Sequence, residues 1–438
     1  MRADLIIVHA DQLLTMATPE GSPEGAPVAG PFSGADQGRI GLIEDGAIAC
    51  LDGMIVAIGP TEEILAKVQE EPDIVTIDAR GKVVSPGLVD AHTHLVFAGT
   101  REREFELRAR GATYAEIFAA GGGIHSTVRA TREASKAELL ELATGRLQTM
   151  LEHGATTVEA KSGYGLDFDT EVKQLEVLME LSRRHPVDVV PTFMGAHAVP
   201  RDTDPEAFVT WLVEDAIPKI AIRGLARFCD VFCEKGVFTP EQTERILKAA
   251  KANGLGAKLH ADELVDTGGA ALAAKLGAVS ADHLHCANLD GLAAMAEAGV
   301  VAVLLPGTGV FLGMSEHAPA RKMVELGVPV AVATDFNPGS CFSESLPLMM
   351  SLAVTQLKLT PQEVWVAVTR NAAHAVGRGH RVGSLEVGKQ ADLVVWDAHD
   401  YRVVPYRMGI NLVDTVVKLG KVVHRREPRA QAQLERIG

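Results

Sequence analysis

Two kinds of apolar pattern divide the chain. Near the start lie short β-rich runs at residues 3–8 (ADLIIV), 46–51 and 54–58, and near the finish at 391–397 (ADLVVWD) and 415–423 (TVVKLGKVV). Asp52-Gly53 joins two of these runs with a dipeptide that favours a two-residue hairpin turn, and Gly420 turns the last run on itself. Between them, short continuous apolar runs alternate with segments of helical period, the pattern of parallel βα units whose strands are covered by helices. Eight such runs stand out: 82–92, 155–161, 187–193, 227–233, 256–261, 278–284, 300–306 and 329–335. Eight is the number that closes a barrel. The expected architecture is α/β, a TIM-like (β/α)8 barrel with a small β-sandwich domain built from both termini. Residues 1–80 and 380–438 would form the composite sandwich, and 81–379 the barrel.

The helical segments carry their own punctuation. In SKAELLELATGRLQTMLEHG, Ser135 and Glu138 predict a capping box. Leu139, Leu142, Ala143, Leu147, Met150 and Leu151 predict one apolar stripe, and Gly154 a stop. The Pro/Gly/Ser/Ala stretch 18–38 reads as an exposed loop that buries little. The first crossover, 95–154, is long for one helix and contains AAGGGIHST. This glycine cluster resembles a phosphate loop, but no Lys-Ser/Thr follows it, which favours an active-site loop instead.

Composition narrows the partners. Lys and Arg number 42 against 57 Asp and Glu, a net charge of −15, which repels nucleic acid and anionic membranes. An anionic substrate would therefore need a local cation. The five cysteines are odd in number and scattered, and Cys229 and Cys233 sit in CDVFC, which reads as a buried strand with core thiols. No run is long enough to span a bilayer and the N-terminus does not read as a secretion signal, so a cytoplasmic location is expected.

Residues i and i+2 of a strand share a face. His92 and His94 therefore direct two imidazoles to one point at the end of the first barrel run, on the face where barrel enzymes keep their active sites. Alone, such a pair also describes two histidines in a loop. His260 ends the fifth run, however, and Asp335 the eighth. Four metal-compatible residues at matching strand ends suit a catalytic zinc or iron(II) site. His283-Leu284-His285 offers a rival pair at the end of the sixth run, with His285 already leaving the strand. Glu263, just past His260, has three readings: acceptor of a proton from an attacking water, holder of a substrate ring nitrogen, or helix N-terminal carboxylate. Asp262 reads as structural.

Together, SPGLVDAHTH and the later His, His and Asp resemble the amidohydrolase superfamily. Finer motifs resemble its imidazolonepropionase family: HTHLVFAGTREREFELR, AGGGIHSTVRATREAS, EAKSGYGL, TFMGAHAVP, LHADE, AVSADHL, LLPGT and ATDFNPGS. The resemblance implies hydrolysis of 4-imidazolone-5-propanoate to N-formimidoyl-L-glutamate in histidine degradation. It implies one Zn2+ or Fe ion per subunit on His92, His94, His260 and Asp335, and a homodimer with no nucleic-acid or membrane partner. By the same resemblance Arg101, Tyr164, His197 and Glu263 contact the substrate. Glu263 and His283 flank the scissile amide, with Asp335 or Glu263 as the base, and Asn337, Gly339 and Ser340 line the pocket.

Residue chemistry agrees with these roles without dictating them. Arg101 offers a planar fork for a carboxylate, although a salt bridge among Glu102, Glu104 and Glu106 is its plainer reading. Tyr164 lies between glycines, and His197 is equally a structural histidine by itself. Related two-metal enzymes carry a carboxylated lysine after strand four; here Cys233-Glu234-Lys235 stands there, and Lys161 follows strand two. The rival readings are a hydrolase or deaminase of another small ring, such as a hydantoin or purine, and a dead scaffold, which the complete ligand set disfavours.

Overall fold

The computed structural model describes residues 1–18, 30–69, 73–112 and 122–427. Eight parallel strands form the barrel: Leu88–Asp90, Ala155–Lys161, Asp188–Ala196, Phe228–Cys233, Gly256–Ala261, Ser280–His283, Val301–Leu304 and Val330–Val332. Each pairs with the next in sequence. The ring closes just beyond the first and last strands, where Asp335 N–H donates to the His92 carbonyl at 3.0 Å and His94 N–H to the Phe336 carbonyl at 2.9 Å. The runs 155–161 and 256–261 are strands to the residue, the strand of run 187–193 continues to Ala196, and the other runs are trimmed at their ends or, for 82–92, divided.

The run 82–92 is two strands in two different sheets. Val83–Pro86 pairs with Leu5–Leu14 and Leu393–Trp396 in the terminal sheet, while Leu88–Asp90 opens the barrel. Gly87 is the joint. A Cβ there would lie 2.1 Å from Thr156 Oγ1 on the second barrel strand, so only glycine lets the two backbones approach this closely. Apolar pattern alone does not reveal such a change of sheet, because both halves are buried.

The terminal sheet interleaves the two ends of the chain. Its order is Lys421–Arg425, Val413–Lys418, Leu393–Trp396, Val83–Pro86, Leu5–Leu14, Leu42–Leu51 and Met54–Pro60, with Val75–Asp78 added beside Leu5–Leu14. The predicted turn at Asp52-Gly53 has φ of 51° and 80°, the left-handed pair a tight hairpin needs. Beneath the barrel, Lys418 Nζ joins Asp392 at 2.6 Å and Asp188 of the third barrel strand at 2.8 Å, which pins the sheet to the barrel's N-terminal end.

The helices cover the barrel as their periodicity predicts. Ser135 and Glu138 form the capping box of Lys136–Glu152. Its stripe is buried except for Leu142, which is exposed. Cys229 and Cys233 are buried free thiols. Among the described residues no helix is long and apolar enough to cross a membrane.

The stretch 18–38 departs from expectation where it is described; residues 19–29 lie outside the described residues. Phe32 and Gln37 are buried. The Gln37 amide accepts from Val330 N–H at 3.1 Å and donates to the Val330 carbonyl at 2.8 Å, acting as a one-residue strand against the start of the eighth barrel strand. Asn371 clasps the same segment, accepting from Phe32 N–H at 2.7 Å and donating to its carbonyl at 2.8 Å. Composition hides this because a single amide does the work. Gln37→Ala strands the Val330 amide in the interior and leaves its carbonyl to Asn371 Nδ2 at 2.9 Å, so unfolding in urea should show a loss of about 1–3 kcal/mol; an unchanged midpoint would refute the clasp.

Candidate metal centre and active site

The four expected ligand residues converge at the C-terminal mouth of the barrel, all buried. Nitrogens of His92, His94 and His260 lie within 4.8 Å of one another, as do ligand atoms of His92, His283 and Asp335. Asp335 Oδ1 stands 3.4 Å from His92 Nε2 and 3.7 Å from His94 Nε2. Two of these imidazoles are fixed from behind. His92 Nδ1 meets Asp282 Oδ2 at 2.7 Å, and His260 Nδ1 meets Asp230 Oδ1 at 3.0 Å. A carboxylate behind Nδ1 selects the tautomer that carries hydrogen there and leaves the Nε2 lone pair facing forward. Both Nε2 atoms are buried with no hydrogen-bond partner. Orphaned nitrogens of this kind are costly unless something electron-poor meets them, and three imidazoles with a carboxylate are a donor set that fits zinc or iron(II). Burial holds His92 and His94 well below the usual imidazole range, so both are neutral, as ligands must be.

Asp230 and Asp282 were not singled out from sequence, nor were Glu159 and Lys258 beside them; Lys161 was noted only as a lysine after strand two, and it is the last residue of that strand. All five are fully buried inside the barrel. A signal existed: each is a charged residue inside an apolar strand, where charge is rarely fully buried unless paired. Lys258 also stands two residues before His260, on its face of the strand.

Asp335 has one oxygen tied down. Its Oδ2 accepts from Thr308 Oγ1 at 2.6 Å and Ser340 Oγ at 3.3 Å, which leaves Oδ1 to the histidines. Thr308, within LLPGT, is a further site residue that sequence did not mark. Burial pushes Asp335 up to about 6. Glu263 Oε2 lies 3.6 Å from His283 Nε2, and burial, followed by the charge of Asp335, pushes it up to about 8. The backbone is left-handed at Leu166, Asp262, His283, Leu284 and Asp335, all just beyond or at barrel strand ends. For non-glycine residues such geometry costs about 1–3 kcal/mol each and persists where surrounding contacts enforce it.

On the substrate side, Tyr164 and His197 pack against His94, with ring centroids 5.8 Å and 5.0 Å away. Burial pushes the Tyr164 hydroxyl up and holds His197 down to about 3, so both are neutral. Arg101 does form a salt bridge, among the described residues with Glu104, through Nε at 2.9 Å and Nη2 at 2.7 Å. Its third nitrogen, Nη1, lies against Gly339, where a Cβ would come within 2.1 Å. Glu104 Oε1 also accepts from Gly123 N–H at 3.0 Å, linking Arg101 to the end of the glycine cluster; residues 113–121 of that crossover lie outside the described residues.

Several candidates are engaged elsewhere. The Asn337 side chain accepts from Gly339 and Ser340 N–H, each at 2.8 Å, and donates to the Asp335 carbonyl at 2.7 Å, so it shapes the turn. Asp262 caps the following helix through Gly269 and Ala270 N–H at 3.0 and 2.9 Å. Lys235 is exposed.

Known proteins agree with this picture. The model of the amidohydrolase family matches residues 83–423. The imidazolonepropionase of Geobacillus kaustophilus is 54% identical over 88% of this chain and 91% of its own length. That of Symbiobacterium thermophilum is 52% identical over 96% and 97%. Among solved structures, a zinc-bound adenosine deaminase from Xanthomonas campestris superposes with TM-score 0.69 at 20% identity, over 96% of this chain and 93% of its own. The 5-methylcytosine deaminase of Klebsiella pneumoniae gives 0.73 at 16%, over 97% and 99%, a likeness of fold alone. With half its residues shared along nearly the full length of such relatives, the chain belongs to the amidohydrolase family and, within it, to the imidazolonepropionases.

Proposed function

We propose that this chain opens the ring of 4-imidazolone-5-propanoate by hydrolysis, giving N-formimidoyl-L-glutamate. What carries the reading is the convergence of His92, His94, His260 and Asp335 beside Glu263 and His283, in a chain whose relatives bear the imidazolonepropionase name. Those first four residues would hold one zinc or iron ion. When bound, such an ion acts as a Lewis acid and lowers the pKa of water toward about 7.

The chain's own groups supply the remaining work. Arg101, steadied by Glu104, presents Nη1 to the propanoate carboxylate and meets the need for a local cation in an acidic protein. Tyr164 and His197 wall the ring against His94. His283 faces the amide and stabilises charge on its oxygen, while Glu263 or Asp335 takes the proton of the attacking water and returns it to the departing ring nitrogen. Burial raises the Glu263 carboxyl to about 8, which suits it to that exchange. Assembly as a homodimer belongs to the same reading and rests on the motif resemblance; a cytoplasmic location is proposed from the sequence.

Incubation with imidazolone propanoate should abolish the substrate's ultraviolet absorbance, and a chelator should stop the reaction until zinc or iron(II) is restored. A protein inert to this substrate but active on a hydantoin or purine would overturn the assignment. Glu263→Gln should keep its metal and lose about 100- to 10,000-fold in kcat; full turnover would remove it from the proton path. Arg101→Ala should raise KM by about ten- to a hundredfold with little change in kcat, and a fall confined to kcat would show that it does not anchor the carboxylate.

A further inference from the structure

We infer that Lys161 is the positioning residue that holds the ligand histidines of strands one and five in register with each other. The inference rests on the metal reading above. Its ammonium is fully buried and touches three carboxylates: Asp230 Oδ2 at 2.7 Å, Glu159 Oε1 at 2.9 Å and Asp282 Oδ2 at 3.5 Å. Asp230 turns its other oxygen to His260, and Asp282 shares Oδ2 between Lys161 and His92. One cation thus stands behind both carboxylates that orient the forward-facing imidazoles. The backbone adds a third hold, because Lys161 N–H donates to the carbonyl of Thr93, the residue between His92 and His94, at 2.9 Å.

The geometry follows from barrel packing. Alternate strands fill alternate layers of a barrel interior. Lys161, Asp230 and Asp282 come from strands two, four and six, whereas His92 and His260 belong to strands one and five. The even-strand layer is a charged floor under the odd-strand imidazoles. Without the ammonium, Asp230 Oδ2 loses the cation that holds it, and Asp282 keeps, among the described residues, only Ser280, which donates to Oδ1 at 2.7 Å, to set the angle at which it meets His92. Lys258 is equally buried and lies 3.6 Å from Glu159 Oε1, but it has no hydrogen bond to Asp230 or Asp282 among the described residues; it donates to the carbonyls of Ala91 and Ala375, each at 3.3 Å. It serves as the control for a lost buried charge.

The test strips the full-length protein with a chelator and titrates it with zinc against a chelating dye, and with Co2+ while recording the visible spectrum. Lys161→Met should bind zinc about 10- to 100-fold more weakly and show an altered Co2+ spectrum, with Lys161→Arg recovering part of the affinity. Lys258→Met should lower the melting temperature yet keep zinc affinity within about twofold of the parent. Equal losses in both lysine variants, or unchanged affinity and spectrum in Lys161→Met, would overturn the role of Lys161. Wild-type protein that takes up no zinc or Co2+ would overturn the metal reading itself. Should Lys161→Met fail to fold, the link is read from Asp230→Asn and Asp282→Asn. A departure from additivity of fivefold or more in zinc affinity supports it, and independent losses refute it.

Discussion

Everything at the mouth of the barrel depends on one closure. The first and last strands meet through the hydrogen bonds of Asp335 N–H to His92 and of His94 N–H to Phe336, so ligand residues from opposite ends of the barrel sequence share a single backbone ladder. A ladder transmits register without slack, because a slip by one residue turns every side chain to the opposite face. The position of Asp335 relative to the two histidines is therefore a property of the closed ring rather than of any loop. The left-handed backbone at His283, Leu284 and Asp335 sits where surrounding contacts enforce it: Leu284 N–H donates to the Ala261 carbonyl at 3.0 Å and Asp335 N–H to that of His92.

A second constraint is the burial of charge. Glu159, Asp230, Asp282, Lys161 and Lys258 occupy an interior that barrels ordinarily fill with branched aliphatics. Such a cluster contributes little net stability compared with an apolar filling. Its gain is directional. Carboxylates with fixed partners give imidazoles fixed tautomers, and this makes the arrangement intelligible as support for a centre rather than for the fold.

Much of this was legible in the sequence because each barrel strand is short, apolar and bounded by polar or glycine residues. His92, His94, His260 and Asp335 were visible as polar ends of apolar runs, and the structure brings all four to one point. Three things were not legible. The run 82–92 changes sheet at Gly87, and periodicity records burial, not the partner that provides it. Gln37 replaces a whole strand with one side-chain amide, which no pattern announces. The charged floor is marked in sequence only as single charges inside apolar strands, and its meaning as a layer appears once strands two, four and six are placed around one barrel.

The interleaved terminal sheet has a consequence for how the molecule is made. Val83–Pro86 lies between Leu5–Leu14, which precedes it in the chain, and Leu393–Trp396, which follows only after every barrel strand. Until Leu393–Trp396 has been made, that strand exposes an unpaired edge, and unpaired edges recruit other chains. The barrel thus matures on a platform that stays open along one side until Leu393–Trp396 seals it.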